Sequence, residues 1–410
     1  MPIVFDLDSF IKRCVTKREK SLLADDLARH DEELRLRIDG ARVLVIGGAG
    51  EIGLSYIKAL LCFNPANLVV VDISENGLAE LVRDLRSAGK YHIPEDFAAY
   101  PVNFADPVFK KLFKAHGPFD IVANFAAHKH VRSEKDVFSI EAMIENNVLR
   151  ARELIDLLCE TPPRHFFCVS TDKAANPVNI MGASKKLMEE LIMAYADRLP
   201  VKTARFPNVA FSNGSLPFGF LNRLDKRQPW ACPLGIRRYF VSPRESGELC
   251  LLASIMGESG DIVFPKLDPA RDMISFVQVA EDLLREFGME PDPCKTEDEA
   301  REKIKYLADI GVSKKWPVYF FEPDTSGEKA FEEFYTPEET LDFGKFTNLG
   351  VIKNSKRRPL AEIEVIFNEL RQLFASDMGD ASKEKITAAL RDYLPNFSHI
   401  EKGRGLDSKM

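Results

Sequence analysis

No run of this chain approaches the ~18–20 consecutive apolar residues of a bilayer span, so the sequence predicts no membrane helix. The opening residues, Met1 to Asp6, lack the basic-then-apolar plan of a secretory signal, and cytoplasmic placement is the expectation. Basic residues do not predominate: 56 Lys and Arg stand against 63 Asp and Glu, a formal net charge of −7. Nucleic-acid binders usually carry a basic face, and this balance gives no support for one. A local basic pocket for a phosphorylated ligand stays compatible with it. Cysteine is sparse and odd in number, with seven residues and no CxxC spacing. That suggests neither a disulfide framework nor a zinc site and favours reduced thiols. His128 and His130 are the one close histidine pair, and no cysteine or carboxylate cluster accompanies them at metal-ligand spacing. No metal is expected. There is no internal repeat and no low-complexity tract.

Against these absences stand 410 residues, 45% of them hydrophobic. That is enough for one large or two ordinary domains with a substantial core. Arg42 to Ile46 reads as a buried strand. Gly47-Gly48-Ala49-Gly50-Glu51-Ile52-Gly53 follows, and a helix then runs to about Leu61. In this G-x-x-G-x-x-G spacing the first glycine permits a tight turn and the second lets the backbone approach a pyrophosphate. The third lets the helix pack on the strand. The helix N-terminus turns its free amides to the phosphates. The strand–turn–helix context gives the motif weight that glycines alone lack. Leu68 to Val71 forms a second buried strand ending at Asp72, nineteen residues after Gly53. An acidic residue there suits an adenosine ribose. No Arg or Lys follows closely, so NAD fits better than NADP.

Strand and helix patterns keep alternating. A helix spans about Gly77 to Ala88, a strand lies near Ala98 to Val102, and a helix surrounds Lys110 to Lys114. The strand Ile121 to Phe125 leads into Ala126-Ala127-His128-Lys129-His130, and a long helix from about Ile140 to Cys159 contains Asn146 and Asn147. Such alternation predicts a parallel sheet with helices on both faces. The strand Phe166 to Val169 then stops where polar residues begin, at Ser170-Thr171-Asp172-Lys173. Carboxyl ends of strands face the ligand crevice in open α/β sheets, so a hydroxyl, a carboxylate and an amine are expected there. Asn176-Pro177 breaks the chain. A helix restarts near Ile180, with Met181 and Lys185 four apart on one face. Ordinary readings stand beside these: Lys173 pairing with Asp172 or an exposed acid, and Thr171 capping the next turn.

The predicted fold is α/β, a Rossmann-type doubly wound parallel sheet with a smaller C-terminal substrate-binding region. Residues 1–40 read as a helical extension of two amphipathic helices. Residues 41–205 form the dinucleotide domain. Residues 206–345 form mainly the substrate-binding region, with segments returning to the sheet domain. Residues 346–410 form a helical C-terminal extension, with the tail after Pro395 loosely held. Arg205 to Val209 is expected as a sixth strand, residues 290–315 as a charged insertion, and Val318 to Phe321 as a late strand.

Four stretches together resemble the extended short-chain dehydrogenases/reductases, and more narrowly the UDP-N-acetylglucosamine 4,6-dehydratase group of polysaccharide biosynthesis. They are Gly47 to Gly53; Ala126 to Val131; Ser170 to Ala174 with Asn176-Pro177 and Met181 to Lys185; and Ser326-Gly327-Glu328-Lys329 with Glu332-Glu333. The superfamily carries a tyrosine where Met181 stands, and methionine has no ionisable proton. One branch of the dehydratases, which includes membrane-anchored members, is similar in having methionine there. This chain looks like a soluble version of that branch. It departs from the family's usual glycine at Pro207 and usual arginine at Thr325.

The resemblance implies an internal redox cycle on a UDP-sugar. Hydride leaves C4 for NAD⁺, water is lost across C5 and C6, and hydride returns to C6. Asp172 and Lys173 are then the acid–base pair, Thr171 serves the 4-hydroxyl, and Lys185 binds the nicotinamide ribose beside Met181. Glu51, Ile52, Asn103 and Ala126 join Gly47, Gly50, Gly53, Asp72 and Lys185 around the cofactor. Lys129, Arg205, Asn208, Arg238 and Glu328 are assigned to the nucleotide, Arg238 having the planar donor fork that suits a diphosphate. The resemblance also implies self-association through helices of the sheet domain. Two rivals remain. A sugar-nucleotide epimerase needs no elimination pair such as Asp172-Lys173. A catalytically silent dinucleotide-sensing protein would account for Met181, Pro207 and Thr325.

Overall fold

Val43 to Ile46 and Leu68 to Val71 are buried without a break, as expected of parallel strands covered on both faces. A computed structural model describes residues 5–307, 313–323, 326, 327, 329, 331–353, 355, 357–375 and 381–402. The strands, in chain order, are β1 (Arg42–Ile46), β2 (Asn67–Asp72), β3 (Asp96–Pro101), β4 (Ile121–Asn124), β5 (His165–Val169), β6 (Val201–Ala204), β7 (Asn208–Val209) and β8 (Trp230–Pro233). They continue with β9 (Arg237–Val241), β10 (Asp261–Pro265), β11 (Met273–Ser275), β12 (Glu290–Cys294), β13 (Lys315–Phe321), β14 (Thr340–Asp342) and β15 (Leu349–Lys353). The main sheet runs β3-β2-β1-β4-β5-β6-β10, all parallel, and ends in antiparallel β15 and β14.

Alternate side chains of each strand enter opposite cores. Leu44, Ile46, Val69 and Val71 pack with the helices Ile180–Ala194 and Leu360–Ala375. Val43, Val45, Leu68 and Val70 pack with the helices Glu51–Leu60, Glu75–Ser87 and Pro243–Met256. Each such side chain contributes on the order of 1.5–3 kcal/mol by leaving water. A third core lies outside the sheet. It joins Trp230 and Trp316 to Phe10, Ile11 and Val15, so the N-terminal segment braces the substrate-side lobe. That lobe holds two small sheets, β11-β9-β7 and β12-β13-β8.

Several expectations need correction. The sixth strand is Val201–Ala204, not Arg205 to Val209. Its polar Lys202 and Thr203 hid it, because both are buried by their neighbours. Burial, with nearby Arg37, pushes the Lys202 ammonium down to about 8, and burial with Lys202 pushes His165 down to about 3. The described N-terminal residues form two helical stretches, Leu7–Phe10 widening into the π-type turn Ile11–Thr16, and Ala24–Arg29 followed after His30 by Asp31–Ile38. Residues 290–315 supply strand β12 and the helix Glu297–Lys305. Residues 346–410 are not purely helical, since β15 joins the main sheet. The tail as far as residue 402 is not loose either. Ser398 and Ile400 donate backbone hydrogen bonds to Pro177 and Val178, and the Ile400 carbonyl accepts from Gly327. No helix among the described residues is long and apolar enough to cross a membrane.

Candidate active site

A cleft of about 590 Å³ opens at the carboxyl ends of β1, β2 and β4, where the strand order switches around β1. Gly47 ends β1 at φ +73°, and a Cβ there would lie 2.5 Å from the Ala126 nitrogen. Gly53 is held as tightly, with its would-be Cβ 2.8 Å from the Gly48 Cα. The helix Glu51–Leu60 therefore starts pressed on the turn, and Gly50, Glu51, Ile52 and Gly53 line the cleft. Asp72 ends β2. Its carboxylate accepts the Ala49 N–H at 3.0 Å and the Ser74 N–H at 2.9 Å. A carboxylate has about four acceptor sites, so capacity remains toward the cleft that Asp72 lines. Asn103 and Ala126 stand on the same wall. A glycine cradle, a helix N-terminus and an acidic strand end fit a dinucleotide.

The helix expected at residues 140–159 runs from Val137 to Glu160 and widens into a π-type turn at Glu145–Leu149. Such turns often sit at functional sites. Here the adjacent asparagines are put to separate tasks. Asn146 lines the cleft. The Asn147 side-chain oxygen accepts the His128 N–H at 2.8 Å, while its amide donates to the His128 carbonyl at 2.9 Å and to Ser184 Oγ at 3.1 Å. This two-point grip fixes the loop that carries Ala126 and Lys129. Doubled asparagine in a helix was the visible signal; its partners were not.

A second cavity, of about 540 Å³, shares Ile52, Phe125, Ala127 and Lys129 with the first. Lys129 is accessible from the mouth, but the surrounding walls lower its ammonium pKa, an effect Glu51 partly offsets. The Glu51 carboxyl is raised by burial, against the Asn213 N–H that it accepts at 3.0 Å and against Lys129. On the far wall stand Thr171, Lys173, Met181 and Lys185. Thr171 Oγ1 donates to Asp172 Oδ1 at 2.9 Å, and Lys173 Nζ donates to the same oxygen at 3.0 Å. Lys173 also lies 3.5 Å from Asn208 Oδ1 and 3.9 Å from Glu332 Oε1. The ordinary readings of this stretch are met: Lys173 pairs with Asp172, and Thr171 caps the short turn Asp172–Ala174. Lys185 Nζ donates to the Val169 carbonyl at 3.0 Å. Burial lowers its ammonium pKa, and Cys168 and Glu189 oppose that shift. Asn179 caps the helix Ile180–Ala194 through the Gly182 N–H and reaches the Gly327 carbonyl at 2.9 Å.

The model of a family described as polysaccharide biosynthesis protein matches residues 43–352, a span that takes in both cavities. The chain belongs to the polysaccharide biosynthesis protein family. An uncharacterized membrane protein of Methanocaldococcus jannaschii is 29% identical over 85% of this chain and 95% of that protein. A UDP-N-acetylglucosamine 4,6-dehydratase (inverting) of Campylobacter jejuni is 26% identical over 56% of this chain and 68% of that one. The solved structure of Pen from Bacillus thuringiensis, at 20% identity and a TM-score of 0.61, covers 78% of this chain and 89% of its own. It shares the fold.

In this member of the family, not every residue assigned from sequence reaches the cavities. Asn208 and Arg238 line the second one, as Lys129 does. Arg205 does not bind a nucleotide, and that assignment is corrected. It is fully buried, and its guanidinium bonds Glu189 at 2.8 and 2.9 Å, Glu339 at 2.9 Å and the Phe334 carbonyl at 3.0 Å. Every donor face is spent on the protein. Burial alone would raise Glu189, but Arg205 overrides it and holds that carboxyl below its usual range. Glu328 and Thr325 lie outside the described residues. Glu332 was not assigned, although it is 4% exposed and lines the cavity beside Lys173 and Arg238. Burial raises its carboxyl pKa and Asp172 adds to the rise, while Lys173, Arg238 and Lys329 oppose it.

Proposed function

We propose that this chain is an NAD-dependent nucleotide-sugar 4,6-dehydratase acting on UDP-N-acetylglucosamine or a close UDP-hexose. The observation that carries this reading is the Lys173 amine, held between Asp172 and Glu332 on the wall of a cavity contiguous with the dinucleotide cleft. Oxidation next to a C–H bond that must then be broken calls for such a neighbouring amine, and simple C4 epimerisation does not. The named dehydratase of Campylobacter jejuni points the same way. NAD is favoured over NADP because Asp72 occupies the place where a 2′-phosphate would bring more negative charge, with Ile73, Ser74 and Glu75 following.

When bound, the nicotinamide supplies the acceptor and later donor of hydride. The chain's own residues do the rest. Gly47 to Gly53 and Asp72 hold the dinucleotide, while Lys129 and Arg238 face the diphosphate. Met181 cannot take the 4-hydroxyl proton. Thr171 can receive it and pass its own to Asp172, to which it is already bonded. Lys185 holds the nicotinamide ribose and places positive charge near the sugar's O4. The Lys173 amine takes the C5 proton once a C4 ketone has acidified it, and later returns a proton to C5.

The test has two parts. The purified protein should release nicotinamide dinucleotide on denaturation, or bind it when it is added. Incubation with UDP-N-acetylglucosamine should then yield a product lighter by one water, with a 6-methyl signal by NMR. A product of unchanged mass inverted at C4 would replace this reading with the epimerase. Failure to bind any nicotinamide nucleotide would remove both.

A further inference from the structure

The elimination needs a proton for the departing C6 hydroxyl, and the expected donor, Asp172, is poorly placed to give one. Its Oδ1 already accepts from Thr171 and from Lys173, and it is not among the residues found on the cavity wall. Glu332 is on that wall, with its Oε1 3.9 Å from Lys173 Nζ. We propose that Glu332 is the proton donor to the leaving hydroxyl, and that Asp172 is the acceptor of the sugar's O4 proton through Thr171. This assignment rests on the dehydratase reading above.

The steps balance. On oxidation at C4, the O4 proton passes to Thr171 and the Thr171 proton to Asp172. In the elimination the Lys173 amine, in its neutral form, takes the C5 proton, the C5=C6 double bond forms and the C6–O bond breaks. The Glu332 carboxyl gives its proton to the departing hydroxyl, which leaves as water. After hydride has returned to C6 and Lys173 has returned its proton to C5, Lys173 relays the Asp172 proton to Glu332. The site is then as it began, and the sugar has lost one water. Five groups surround the carboxyl electrostatically or by relay: Lys173, Asp172, Arg238, Lys329 and, through Asp172, Thr171. Burial together with Asp172 favours the protonated form that a donor requires, against Lys173, Arg238 and Lys329. A carboxylic acid kept neutral in a walled cavity is a recognised way to supply a proton near neutral pH.

The experiment compares the NAD-loaded wild type with Glu332→Gln, Glu332→Asp and Asp172→Asn on UDP-N-acetylglucosamine in deuterium oxide. It follows C5 exchange, loss of water and UDP affinity. Gln keeps the shape of Glu without an acidic proton. Glu332→Gln should still exchange the C5 proton and bind UDP as wild type does, while dehydration falls ~10²–10⁴-fold. The wild-type rate should fall as pH rises through the Glu332 pKa, and that limb should vanish in Glu332→Gln and persist in Glu332→Asp. Asp172→Asn should instead slow the oxidation that precedes both exchange and water loss. Dehydration by Glu332→Gln at the wild-type rate overturns the assignment alone, as does joint loss of exchange, dehydration and UDP affinity. Wild type giving only a C4 epimer overturns the dehydratase reading and this assignment with it.

Discussion

Lys173 follows β5 and Arg205 follows its neighbour β6, yet burial sets the two basic side chains to opposite work. Lys173 keeps one flank on a cavity, so its loss should be felt in chemistry. Lys173→Ala should leave the dinucleotide bound and allow some 4-keto sugar to form, while C5 exchange in deuterium oxide falls ~10²–10⁴-fold. Exchange at the wild-type rate would clear Lys173 of the base's role. Arg205 has no exposed flank, so its loss should be felt in stability. Arg205→Ala leaves Glu189 buried without its main partner, at a cost of about 3–5 kcal/mol, read from the midpoint of urea unfolding. The pH sign follows from the depressed Glu189 carboxyl. Its contribution is fully present above the unfolded value of 4.5 and is lost as pH falls through the lower folded value. The variant should lack that acid-sensitive share, and its sugar-nucleotide KM should stay near wild type at temperatures where it is folded.

At the scale of elements, two devices hold loops that the sheet leaves unsupported. The wide turn at Glu145–Leu149 presents Asn147 to the His128 backbone at both N–H and C=O. Asn147→Ala removes both contacts and strands one buried pair, a loss of about 1–3 kcal/mol. The expected readout is weaker binding of the dinucleotide together with a lower thermal midpoint; unchanged affinity would detach the turn from the site. The second device is the C-terminal tail. Residues 398–402 bond both the Pro177–Val178 loop and the Ser326–Gly327 loop, and His399 pairs with Glu134, which in turn accepts the Ile180 N–H. A chain ending at Phe397 keeps the buried Leu394 and Phe397 but loses these ties. With hydrogen bonds worth about 0.5–1.5 kcal/mol each, the sugar-nucleotide KM should rise on the order of tenfold. The dinucleotide content should be unaffected, since residues 398–402 bond loops beside the second cavity rather than the glycine turn.

At the scale of the whole molecule, the two cavities exist because two lobes meet along the strand ends. Glu51, on the first helix after the glycine turn, accepts the backbone N–H of Asn213 in the substrate-side lobe. Arg18 ties the N-terminal segment to Glu245 at 2.8 and 2.9 Å and to the Phe240 carbonyl at 3.0 Å. Asp26 accepts the backbone N–H groups of Thr347, at 2.5 Å, and Asn348, at 2.8 Å. Segments from both ends of the chain therefore hold the lobes in register around a cleft and a cavity that share a wall.

The sequence by itself determined the parallel sheet, the glycine turn, Asp72 at the end of β2, and the Thr171–Asp172–Lys173 cluster. Each is written in residues close together: unbroken apolar strands, spaced glycines, polar side chains where a strand stops. The family resemblance added the chemistry. Only the tertiary structure decided that Arg205 faces Glu189 and Glu339 rather than a nucleotide, since Glu339 is 134 residues away. It alone brought Glu332 to Lys173, kept Asp172 off the cavity wall, and drew the tail onto the active-site loops. The physical reason is that burial and ion pairing depend on which distant segments share a layer, and no local pattern records that. Lys202 and Thr203 misled for the same reason, being polar residues that only their surroundings make part of a buried strand.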